Sequence, residues 1–145
     1  MKSHHFISNI RNDEITAAIA KAEQKTSGEI RVFVSHHPCR DPMGTAKKHF
    51  ERLGMTKTHH RNGVLIFVAP ESRTFALLGD TGIHEKCGDD FWQALRDEMI
   101  PHFKSDRFTE GVVHAVSKAG ELLARHFPAG PGDEMNELPN TIVED

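Results

Sequence analysis

Asn62-Gly63-Val64-Leu65-Ile66-Phe67-Val68 decides the fold. Five apolar residues follow an Asn-Gly breaker without interruption, and Val64, Ile66 and Val68 are β-branched. A run this short and this branched suits a strand covered on both faces better than a helix. It is read as the central strand of a sheet.

Downstream, Pro70-Glu71-Ser72 has turn chemistry, so Arg73 to Leu78 returns as the antiparallel partner until Gly79-Asp80-Thr81-Gly82 breaks it. Upstream, residues 55 to 62 form a polar loop. Before it a helix is expected from Pro42 to Leu53, with Ala46, Phe50 and Leu53 on one side. From Glu29 to Ser35, Ile30, Val32 and Val34 alternate with Arg31 and Phe33, a strand pattern closed by His36-His37-Pro38. An earlier helix over Asp13 to Thr26 has Ile15, Ala18, Ile19 and Ala22 at helical spacing and ends at Ser27-Gly28.

After the hairpin, Asp89 or Asp90 caps a third helix carrying Phe91, Trp92, Leu95, Met99 and Phe103, which Pro101 must kink or nearly end. A fourth helix from Thr109 to Phe127 lines up Val112, Val113, Val116, Ala119, Leu123 and Phe127. The spacing of these apolar and aromatic residues marks them as packing residues. The order predicts an α/β fold: an αβα sandwich with a small mixed sheet flanked by helices, a parallel right-handed crossover and then a hairpin.

The 145 residues, 37% hydrophobic and 27% charged, are expected to form one domain over residues 1–127. Pro128 to Asp145 reads as an acidic, Pro- and Gly-containing tail, on which Leu138 and Ile142 could dock against the body. Of the formal charge of −3, this tail holds Asp133, Glu134, Glu137, Glu144 and Asp145 and no Lys or Arg, which leaves the body at about +2, a balance that does not suggest the concentrated basic face of a nucleic-acid binder. No stretch reaches the roughly 20 apolar residues of a membrane span, and the N-terminus has no signal-peptide core. Cys39 and Cys87 are expected to be free thiols in a reducing, cytoplasmic setting.

Four stretches together resemble the TPM domain family: Thr26-Ser27-Gly28-Glu29-Ile30; Asn62 to Val68 with Glu71-Ser72-Arg73; Gly79 to Gly82; and Met99-Ile100-Pro101-His102-Phe103-Lys104 followed by Phe108 and Gly111. The resemblance implies an αβα sandwich. For some members it also implies weak acid phosphatase activity and binding of calcium or magnesium. Asp80 stands where the better-known exported members often have an aromatic residue and His84 where they have glutamate, whereas Asp89 matches their acidic position.

The residues themselves offer two candidate sites. Asp80, Glu85, Asp89 and Asp90 could supply oxygen ligands for calcium or magnesium, which need several oxygens at about 2.0 to 2.6 Å. The plainer reading makes Asp89 and Asp90 helix caps and Asp80 a turn residue. His36, His37 and Cys39, joined by His84 and Cys87, are an alternative zinc set, although their spacing fits no standard motif. His59-His60-Arg61 could hold an anion. The expected function is an accessory or interaction domain, with calcium or magnesium bound after the third strand. The alternatives are a weak metal-dependent phosphomonoester hydrolase, with Glu85 or His84 carrying the proton, and a protein-binding scaffold that uses no metal.

Overall fold

In the structure, a computed structural model, residues 12–58, 60–129 and 142–144 are described. The elements run α1 (Asn12–Glu23), β1 (Glu29–Val34), α2 (Pro42–Arg52), β2 (Gly63–Ala69), β3 (Thr74–Gly79), α3 (Thr81–Cys87), α4 (Asp90–Lys104), α5 (Phe108–His126) and β4 (Val143–Glu144). All seven residues of β2 are buried, as a strand covered on both faces requires.

The sheet has the order β3-β2-β1-β4. β1 lies parallel to β2 with Glu29 opposite Gly63 and Val34 opposite Val68, and β3 returns antiparallel with Val64 opposite Gly79. Period-2 alternation then builds two cores. Ile30, Val32, Val34, Val64, Ile66 and Val68 meet the apolar stripes of α1, α4 and α5, including Ile19, Met99 and Val116. Phe33, Leu65 and Phe67 meet Ala46 and Phe50 of α2 on the other face. The result is the expected αβα sandwich.

Three details differ from the sequence reading. Residues 81–87, expected to be loop, form α3, a helix of seven residues with Ile83 as its buried anchor. Pro101 lies inside α4, which runs on to Lys104, because its missing N–H removes only one bond close to the helix end. Val143 and Glu144, assigned to the tail, pair in parallel with Phe33 and Val34 as the fourth strand, and Ile142 packs on the larger core. Leu138 lies outside the described residues.

Strand direction sorts the loops. The segments before β1, before β2 and after β3 gather at one end of the sheet, which holds Ser27, Arg61 and Asp80. The segments after β1 and between β2 and β3 gather at the other, where the Cys39 N–H donates to Ser72 Oγ at 2.9 Å. Six residues of strand separate the two ends, roughly 20 Å.

Candidate functional site at the Asp80 end of the sheet

Asp80 follows the last residue of β3 and is only 5% exposed, at the N-terminal cap of α3. Its Oδ1 accepts the Thr81 N–H at 2.7 Å, satisfying a backbone group that the helix start leaves without a partner. The same carboxylate is gripped from outside the helix. Arg61 donates Nε to Oδ2 at 2.7 Å and Nη2 to Oδ1 at 2.9 Å, a bidentate charge-assisted pair. Asp80, in turn, raises the pKa of Arg61, first through these hydrogen bonds and then through its charge.

The backbone locks the same two loops together. Gly82 N–H donates to the Arg61 carbonyl at 2.9 Å, and Asp80 N–H donates to the Gly63 carbonyl at 3.0 Å. Gly82 is required here, since a Cβ would lie 2.5 Å from the His60 oxygen and 2.6 Å from the Arg61 oxygen. Arg61 itself adopts φ 53°, a left-handed conformation that costs a non-glycine residue of the order of 1–3 kcal/mol.

The remaining sequence candidates are dispersed. Asp89 is the N-cap residue of α4, but its side chain makes no cap bond and lies instead 3.5 Å from His84 Nδ1. Asp90, in the first turn of α4, and Glu85, on α3, are exposed. Among the described residues, no three of His, Cys, Asp and Glu gather as a metal would need.

The zinc set is divided by the sheet. His36, His37 and Cys39 lie at the end opposite His84 and Cys87, so the two groups are not brought together. His36 Nε2 instead meets Glu144 Oε1 at 2.8 Å, and Cys39 Sγ lies 3.6 Å from Thr45 Oγ1. Both cysteines are free, and burial pushes the Cys87 thiol up from its ordinary range.

Beside the Arg61–Asp80 pair lies a cavity of about 360 Å³ lined by Ser27, His60, Gly82, Glu85, Lys86, His126, Phe127 and Pro128. Its rim is fixed by a short antiparallel contact. Ser27 N–H donates to the Phe127 carbonyl at 2.9 Å, Ala129 N–H to the Lys25 carbonyl at 3.2 Å, and the Thr26 hydroxyl also donates to the Phe127 carbonyl. Lys86 Nζ sits 3.3 Å from the His126 carbonyl and 4.7 Å above the Phe127 ring, which holds its charge at the rim. Buried Ser27, which lines the cavity, accepts a bond from Asn62 Nδ2 at 3.2 Å. His60 lines this cavity; His59 lies outside the described residues.

A larger open groove, about 1350 Å³, runs between α1 and α5. Its charged residues, among them Glu14, Lys21, Lys118 and Glu121, alternate in sign and converge on no point, as expected of solvated helix faces.

Sequence reasoning missed Ser27 and Glu23. Burial raises the Glu23 carboxyl to about 8, against the opposing effect of the hydrogen bond from Ile30 N–H to Oε2 at 2.6 Å; Glu29 raises it further and Arg31 lowers it. Glu23 Oε1 is buried with no hydrogen-bond partner among the described residues. Only a contact between a helix end and a strand edge reveals this carboxyl. In the sequence it is one more charge on an amphipathic helix.

Comparison with known proteins agrees with this fold. The TPM domain family profile matches residues 1–122. The NMR structure of the BA42 protein from the psychrophilic bacterium Bizionia argentinensis is 41% identical and superposes with a TM-score of 0.83, covering 94% of this chain and 95% of that one. No curated protein matches. No helix among the described residues is long and apolar enough to cross a membrane.

Proposed function

Since this chain belongs to the TPM domain family, we propose that it acts as an accessory interaction domain that holds an oxyanion of its partner, a carboxylate or a phosphate, in the cavity beside Ser27. The observation that carries this reading is the lining of the cavity, which brings Ser27 and Lys86 to one place. Ser27 is buried, and its hydroxyl accepts from Asn62 and so keeps its own proton to donate. Buried donors seek acceptors, and a charged acceptor makes the stronger bond. Lys86 supplies a positive charge that Glu85 partly offsets.

The test is equilibrium binding of inorganic phosphate and of acetate to the full chain and to Lys86→Met, whose side chain keeps its length but loses its charge. Lys86→Met should weaken binding by about five- to tenfold. Preference for one anion identifies the partner group. Equal binding by the wild type and Lys86→Met would sink the reading.

The competing function is a metal-dependent phosphatase using Asp80 and Asp89. It would take the lead if calcium or magnesium supported turnover of a generic phosphomonoester and an Asp80→Ala, Asp89→Ala variant that kept its fold lost it.

A further inference from the structure

The carboxylates of the loop that leaves β3 suggest a divalent cation there, and their geometry decides whether there is room for one. Calcium and magnesium need carboxylate oxygens with free lone pairs, several of them converging on one point. Asp80 has little left to give. A carboxylate offers about four acceptor positions, and three are filled by Arg61 Nε, Arg61 Nη2 and the Thr81 N–H, all within 2.9 Å. The guanidinium spans both oxygens, so a metal bridging them would face a full positive charge at contact distance. Glu85, Asp89 and Asp90 do not compensate, since all three are exposed and Asp89 is turned toward His84.

Arg61 is also held for this task. Its left-handed backbone is a cost that a loop residue without a role would shed by becoming glycine, and its carbonyl is tied to Gly82 N–H in the first turn of α3. Backbone and side chain of one residue thus fasten the entry to β2 onto the exit from β3. Guanidinium stays charged across the whole physiological pH range, so the clamp needs neither proton nor metal to form.

We infer that Arg61 is the resident cation of this loop: its guanidinium occupies the place on Asp80 that calcium or magnesium would need, and a divalent cation binds there only by displacing it. The Arg61 side chain is 46% exposed, so displacement needs only that the side chain swing into solvent. This inference stands apart from the anion reading, because neither Arg61 nor Asp80 lines the Ser27 cavity.

The test is an amide NMR titration of the full chain with calcium chloride and, separately, magnesium chloride, comparing wild type with Arg61→Gly. Glycine suits the left-handed backbone and removes the guanidinium. The expected result is affinity at least about tenfold higher in the variant, with shifts centred on Asp80, Thr81 and Gly82 and the rest of the spectrum unmoved. Equal affinity in the two proteins, or equal silence, overturns the inference. Should Arg61→Gly fail to keep the fold, Arg61→Lys replaces it. Lysine keeps the charge and loses the two-pronged geometry, so a smaller gain is expected and the same two outcomes overturn the inference.

Discussion

Glu23 shows how much one side chain can hold back from the sequence. Glu29 N–H points toward β2, to the Asn62 carbonyl, so the next amide, Ile30, points to the open edge of β1, which β4 covers only at Phe33 and Val34. The Glu23 carboxyl fills that gap, its Oε2 being the acceptor a longer fourth strand would have provided. Burial raises its pKa from 4.5 to about 8. Between these values the folded chain keeps a proton that the unfolded chain has released, so stability is highest below about pH 4.5 for this group and falls as pH rises toward 8, by the order of a few kcal/mol. Glu23→Gln keeps an acceptor for Ile30 and removes the ionisation. Its urea midpoint should therefore lose the decline between about pH 5 and pH 8 that the wild type shows, and an unchanged decline would place its origin elsewhere. Asp80 was partly legible, because an Asp between Gly79 and Thr81 signals a turn or cap. Its partner Arg61 was not, because the pair is 19 residues apart and the residues around Arg61 suggested anion binding instead.

Among the elements, those with a long hydrophobic period, an unbroken apolar run or flanking turn signals could be read directly, and those with none of these could not. α5 presents Val112, Val116, Ala119 and Leu123 over 19 residues, so its stripe is unmistakable. α3 has seven residues and one buried anchor, too few for any period, and β4 has two, set in an acidic stretch rich in proline and glycine. Packing between elements was equally hidden. Gly120 of α5 lies against Ala22 of α1 so closely that a Cβ on Gly120 would sit 2.6 Å from the alanine Cβ. Gly120→Ala should force these helices apart. Helix propensity favours alanine by about 1 kcal/mol, but overpacking costs about 1–3 kcal/mol, so a net loss is expected. A lower urea midpoint with an unchanged m-value would show it, whereas a higher midpoint would mean that the two helices separate freely.

For the whole molecule, the αβα sandwich could be read because its central run, its crossover and its hairpin are local signals that agree with one another. The same signals already separate the zinc candidates. A parallel step from β1 to β2 followed by an antiparallel step to β3 sends the loop carrying His84 and Cys87 to the end opposite His36 and Cys39. What local signals cannot give is convergence, because Ser27, Lys86 and Phe127 meet only when the end of α5 crosses the entrance to β1. The proposed anion site rests on that meeting at the Asp80 end of the sheet, and residue-resolved binding tests it most directly. An amide NMR titration of the full chain with phosphate, in the presence of EDTA, should give saturable shifts at Ser27, Gly82 and Lys86 while the amides of His36 and Glu144 stay still. Shifts centred on the opposite end or on the groove between α1 and α5, or no saturable shift at all, would contradict the account.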